Sequence, residues 1–306
     1  MTGSVHFHHS HLQKSLQENF LAFAAHVISR MASDEGGAWF HRAIDGIVTA
    51  PTDRAVAVAI GLAPRRLGKT DLVLSSDDIA RAVALRPGLD VGDWSIDQLA
   101  RIAFLVASHT GDETVFAARL DNFCMTAEIN ELIALCRGLP VYPGALLLEP
   151  RAREAVRSGM KPVFESVVHR NPYPSEIFSE DAWNQTIVKA FFIGSSLWPI
   201  QGLDRRNNPQ LARMLVGLAK ERWAAGRPVN REIWRCVAPC ADIEGLIAMT
   251  HAFKTGGDKD RLAIALAVSS FEPSSAGPAP FLALRNEIEP LLSRLTSENI
   301  RWNDLA

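Results

Sequence analysis

Apolar side chains recur every three or four positions along almost the whole chain, and that period limits its fold more than any other feature. Leu12, Leu16, Phe20, Phe23, Val27 and Met31 share one face of a helix. Ile96, Leu99, Ala103 and Val106 repeat the pattern, as do Leu211, Leu215 and Leu218, and then Phe281, Leu284, Ile288 and Leu292. Strand-like alternation is scarce. Its best example, residues 56–60, reads equally as a buried strand or as a helix. The 41 alanines tilt the balance toward helix.

Local signals set the boundaries. Ser95-Ile96-Asp97-Gln98 is a capping box, in which Gln98 reaches back to the first amide. Thr126 stands as a start signal before Ile129, Ile133 and Cys136, and Ser179 caps a helix that carries Trp183, Asn184, Gln185, Ile187 and Phe191. Asn208-Pro209 opens a helix that stops at Gly226, with Pro228 beyond it. Asp242 and Asp258 open two more, and Pro290 is expected to break the last stripe. Small polar turns precede Ala-rich helices at 51–55, 110–113 and 257–261, with irregular spacing. The expected fold is therefore all-α: helical pairs in an α-solenoid-like, irregular repeat. It forms a single domain over 12–306 behind a flexible tail at 1–11. Residues 272–280 read as a surface connection.

Composition excludes several roles. With 32 basic and 34 acidic residues among 306, there is no basic excess for a nucleic-acid partner. The longest apolar runs, near 55–63 and 262–268, are about half the ~18 residues a membrane span needs. No charged segment followed by an apolar run marks a secretory signal, and four cysteines do not make a disulfide framework, so a cytoplasmic protein with reduced thiols is expected. His6, His8, His9 and His11 read as part of the tail rather than as metal ligands.

Two motifs have a plainer reading. Ala63-Pro64-Arg65-Arg66-Leu67-Gly68-Lys69-Thr70 fits a relaxed phosphate loop, but that chemistry needs a strand, a glycine-rich turn and a helix opening at Lys-Thr. A helix end with a basic turn is the alternative. Cys236 and Cys240 stand four apart, but Pro239 interrupts them and no second pair follows at zinc spacing. No metal and no cofactor is expected.

The densest polar chemistry lies between His169 and Arg206. His169-Arg170-Asn171-Pro172-Tyr173-Pro174-Ser175-Glu176 is stiffened by two prolines, and each of the chain's two tyrosines, Tyr142 and Tyr173, precedes a proline. Asn184 sits in an otherwise apolar helix, where its amide must find a partner. Asp204-Arg205-Arg206 precedes a helix N-terminus, a combination suited to an anion.

These residues resemble the EboA family of bacterial and algal proteins. The likeness is carried by His169 with Asn171-Pro172-Tyr173-Pro174, by Ala182-Trp183-Asn184-Gln185, by Gly202-Leu203-Asp204-Arg205-Arg206, by Asn208-Pro209 with Leu211-Ala212 and Met214-Leu215, and by Glu221-Arg222-Trp223-Ala224-Ala225-Gly226-Arg227. It is dense over 168–242 and thinner around 59–69. The resemblance implies a cytoplasmic helical protein encoded in a gene cluster tied to metabolite traffic toward the periplasm, alongside a membrane prenyltransferase-like protein. It implies a process and no reaction.

The expected role is to bind or hand over a small anionic metabolite, or to scaffold partner enzymes of the same cluster. Asn171, Tyr173, Asn184, Asp204, Arg205 and Arg206 would contact the ligand. Two alternatives stand beside it. One is an enzyme with His169 or Glu176 as general base. The other is a nucleotide-binding protein that uses the 63–70 loop. Neither nucleic acid nor a membrane span enters any of the three.

Overall fold

The computed structural model of the protein describes the backbone of residues 3–270 and 279–306, and the side chains of 16–270 and 281–306. All regular structure among these residues is helical, with no strand; Asp71 and Ser95 form an isolated antiparallel bridge. The all-α expectation holds. No described helix is long and apolar enough to cross a membrane. The helices group into two compact units, Met1–Phe178 and Ser179–Ala306.

The first unit opens with α1 (Gly3–Met31), in which Phe20, Phe23 and Val27 of the expected stripe are buried. Side chains of residues 1–15, including His6, His8, His9 and His11, lie outside the described residues. Helices α2 (Asp34–Thr49) and α3 (Asp53–Leu67) are capped by the hydroxyls of Ser33 and Thr52. The ambiguous run 56–60 lies in α3, with Val56, Ala59, Ile60 and Ala63 buried at helical spacing. Next come α4 (Ser76–Leu85) and α5 (Ile96–Ala107). All of α5 except Gln98 is buried, and it packs against α1, α2 and α3 as the axis of this unit, as a helix apolar on every face must. Gln98 accepts from the Ser95 amide at 3.1 Å, as the capping box requires. Arg101 is buried with the rest of α5. Its Nε donates to the Ile60 carbonyl at 3.2 Å, and Asp97 stands 3.5 Å away.

Helices α6 (Glu113–Thr126) and α7 (Ile129–Arg137) follow, and α7 also packs on α5. Thr126 ends α6 rather than starting α7, because its hydroxyl donates back to the Asn122 carbonyl at 3.2 Å. Two short 3-10 turns, α8 (Glu149–Arg157), α9 (Lys161–Val168) and α10 (Tyr173–Ile177) complete the unit.

The second unit comprises α11 (Glu180–Phe192), α12 (Leu203–Arg206), α13 (Pro209–Ala224), α14 (Ile233–Val237), α15 (Ile243–Thr255), α16 (Asp258–Ser269), α17 (Ala279–Ser297) and α18 (Trp302–Leu305). Three of the expected caps are in place. Ser179 accepts from the Ala182 amide, Asn208 from Leu211 and Asp242 from Gly245. Gly226 ends the turn after α13 with φ +65°, a conformation that favours glycine. Helix α16 packs against α14, α15, α17 and α18, and Trp223 stacks on buried Trp234 at 6.0 Å. Pro290 does not break α17. The proline is exposed, so water can take up the carbonyl its missing N–H leaves. Residues 271–278 and the side chains of 279–280 lie outside the described residues, and with them the expected surface connection at 272–280.

Candidate functional site

The structure divides the expected site residues between the two units. In the first, α9 ends at Val168. The His169 amide closes the helix on the Glu165 carbonyl at 2.8 Å, and its ring is half-buried. Arg170 takes a left-handed conformation, φ 51°, and donates to Asp90 at 2.8 Å. Asn171 is buried. Its Nδ2 donates to the Ser166 carbonyl at 3.3 Å, and its Oδ1 accepts from the Tyr173 amide at 3.0 Å, an Asx turn that launches α10. Tyr173 is fully buried and donates its hydroxyl to the Ala145 carbonyl. Burial, reinforced by Glu149, pushes its phenol up, so it stays protonated. Glu176 pairs with the Arg86 guanidinium, so its carboxylate is already committed to a cation.

In the second unit, the family-like segment forms a connected polar cluster. Asn184 has no solvent exposure and exchanges two hydrogen bonds with Asn208, donating at 3.2 Å and accepting at 2.9 Å. Asn208 also caps α13 at 2.9 Å and donates to the Arg206 carbonyl at 3.2 Å. One side chain thus ties α11, α12 and α13 together. The Arg206 guanidinium lies over the Trp183 ring, 5.0 Å from its centroid. Burial draws Arg206 below its usual value; Glu180 resists this and the neighbouring Arg205 adds to it. Arg205 itself is exposed. Asp204 turns to Arg235 in a two-pronged pair, at 2.7 and 2.6 Å, which fastens α12 to α14.

Two polar atoms of this cluster are buried without a hydrogen-bond partner: Trp183 Nε1 and Asn207 Oδ1. Asn207 is oriented by its own amide nitrogen, which donates to the Arg235 carbonyl at 3.2 Å, so the unpaired atom is an acceptor. The structure therefore gathers Asn184 and Arg206 with Trp183, Asn207 and Asn208, and places Asn171 and Tyr173 in the other unit.

Sequence reasoning passed over Asn207, the Asn184–Asn208 exchange and the Asp204–Arg235 pair. It also passed over Glu232, which is buried and accepts the amides of Leu197 at 3.0 Å and Trp198 at 2.6 Å.

The remaining motifs take the plainer reading. Residues 63–67 are the C-terminal turn of α3. Gly68 follows at φ +84°, and the next helix begins only at Ser76, so no helix opens at Lys69-Thr70 to receive a phosphate. Cys136 and Cys236 are buried, and burial pushes each thiol up to about 12. Both stay protonated and unreactive at neutral pH. Cys240 is half-buried at the end of a 3-10 turn that contains Pro239.

Among known proteins, the family model described as metabolite traffic protein EboA matches residues 21–238, well over half of the chain. Neither curated proteins nor solved structures give a match.

Proposed function

The chain belongs to the EboA family, and from that premise we propose that it serves metabolite traffic by binding a small anionic metabolite and handing it on. The support comes from the second unit, where two buried polar atoms lack partners beside a cation. Trp183 Nε1 offers a hydrogen, Asn207 Oδ1 offers a lone pair, and Arg206 lies over the same indole. A buried donor or acceptor left unmade costs about 1–3 kcal/mol, and native proteins rarely leave one without cause. A ligand that meets both must carry an acceptor for the indole and a hydroxyl or N–H for the amide oxygen. Its negative charge would be held by Arg205 and Arg206. A hydroxylated carboxylate or phosphate has that combination.

The other residues position these groups. The Asp204–Arg235 pair fixes the short helix that carries both arginines, and Asn184 with Asn208 fixes where the next helix begins. Asn171 and Tyr173 set the loop at the end of the first unit.

The reading is tested by thermal unfolding with phosphate, pyrophosphate, malate and citrate. At least one anion is expected to raise the melting temperature of the wild type, since a ligand that binds only the folded state stabilises it. The Arg205→Gln/Arg206→Gln protein should melt normally alone and lose the response. A response that survives both substitutions, or no response in the wild type, overturns the proposal.

A further inference from the structure

A cavity of about 610 Å³ opens in the first unit, built from residues that none of the functional readings above uses. Its volume falls inside the roughly 300–1,000 Å³ typical of small-molecule sites. The walls come from α1, the end of α2, the C-terminal turn of α5, the 109–111 turn and the first residue of α6. Leu21, Val48 and Ala107 supply apolar surface. Val48, on the same helix as buried Phe40 and Ile47, is 60% exposed.

The polar side of the cavity is held by a short rigid turn. Gly111 has φ +98°, and Asp112 caps α6 by accepting the Thr114 and Val115 amides at 2.8 and 3.1 Å. Between these and the end of α5 sits His109. Its Nδ1 is 3.0 Å from Gln17 Oε1, and its ring meets Phe116 edge to face at 5.8 Å. The Gln17 oxygen can only accept, so Nδ1 carries the hydrogen and Nε2 is a bare lone pair, buried and without a partner. Burial pulls His109 below its usual value against the opposing pull of Glu113 and Asp112, so the ring is neutral near pH 7.

Two carboxylates complete the wall, Glu18 from α1 and Glu113 from α6. Neither has an ion-pair or hydrogen-bond partner among the described residues. Glu113 is half-buried and packs against Gly144, where a Cβ would fall 2.9 Å from the Glu113 Cβ. The cavity thus combines two negative charges without an ion-pair partner among the described residues, a neutral histidine that adds no repelling charge, the carbonyl end of α5 and an apolar wall.

We propose that this cavity binds a small organic ammonium ion with an apolar body. The ammonium group would be held by Glu18 and Glu113 and the body would lie against Leu21, Val48 and Ala107. This preference is opposite in charge to that of the second unit, so the two sites can be tested apart.

The test is isothermal titration of the full chain with n-hexylammonium, using 1-hexanol and hexanoate as neutral and anionic counterparts. Only the ammonium ion is expected to bind. Glu113→Gln and Glu18→Gln should each weaken it about tenfold, the scale of one charge-assisted hydrogen bond. Val48→Trp, at an exposed position, should abolish binding by filling the cavity without unfolding the protein. The Arg205→Gln/Arg206→Gln protein should bind hexylammonium as the wild type does. The proposal is overturned if no titration shows binding, or if 1-hexanol binds as tightly as the ammonium ion. Wild-type affinity in Val48→Trp or in both Gln variants overturns it too.

Discussion

Replacing Glu232 with alanine removes the acceptor that holds the connection between α11 and α12. The carboxylate is 1% exposed and takes the amides of Leu197 and Trp198, at 3.0 and 2.6 Å. Its loss strands two N–H groups, each worth about 1–3 kcal/mol when buried and unpaired. Against this, the substitution also removes a buried charge, whose cost is recovered. The net loss is then about 3 kcal/mol, a large share of the ~5–15 kcal/mol that holds a typical domain together. Glu232→Gln keeps one acceptor and should lose about half as much.

The sign of the pH effect follows from the carboxyl's environment. Burial pushes Glu232 above its ordinary value of 4.5, outweighing the Leu197 and Trp198 amides, Asn230 and the attraction of Arg235. Below pH 4.5 both folded and unfolded chains hold the proton. Above it, up to the raised folded value, only the folded chain does. Wild-type stability relative to Glu232→Gln should therefore fall as pH rises through that window. Urea unfolding of both variants and the wild type, followed by tryptophan fluorescence at pH 4, 5, 6 and 7, measures this. An alanine variant within about 0.5 kcal/mol of wild type, or a wild-type advantage over Gln that grows with pH, would refute the reasoning.

Three further outcomes are expected. Gly138→Ala would place a Cβ 2.2 Å from the buried Tyr142 ring, so unfolding experiments should show a loss of about 2–3 kcal/mol; wild-type stability would mean the ring can move aside. Asn184→Ala and Asn208→Ala should each destabilise by about 1–3 kcal/mol, the second more because it also uncaps α13, with a coupling of about 1 kcal/mol in the double-mutant cycle. Additive losses would show that the paired amides are not cooperating. Asp78, fully buried, is pushed up by burial but held below its ordinary 3.8 by Ser75, Arg30 and His26. Its contribution should be present above pH 3.8 and disappear as pH falls through the lower folded value, so the wild type should lose its advantage over Asp78→Asn there in acid titrations of stability.

The helices were legible because their signals are local and repeated. The stripe at Phe20, Phe23 and Val27, and the caps at Ser179, Asn208 and Asp242, need no knowledge of distant residues. Thr126 misled because a threonine that begins one helix looks the same as one that bonds back into the helix before it. Pro290 misled because an interior proline is tolerated where its turn faces water. The 63–70 motif has the right letters, but its meaning depends on the flanking elements, and here a helix ends where one would have to begin.

The polar segment was recognisable as a place and unreadable as a set of roles. Asn184 finds its partner 24 positions away and Asp204 finds its own 31 away, at spacings no helical or strand period encodes. A buried amide pair and a ligand-binding amide look alike until both partners are seen. The cavity around His109 was invisible for the same reason, since its walls come from three separate stretches of chain, 17–21, 48 and 106–113.

The most direct measurement of the central claim is native mass spectrometry of the purified full chain beside its Arg205→Gln/Arg206→Gln counterpart. The wild type should carry a small non-covalent adduct that detects as an anion when released, and the double variant, folded to the same extent, should lack it. A wild type free of any adduct, or an anionic adduct retained by the double variant, would contradict the account.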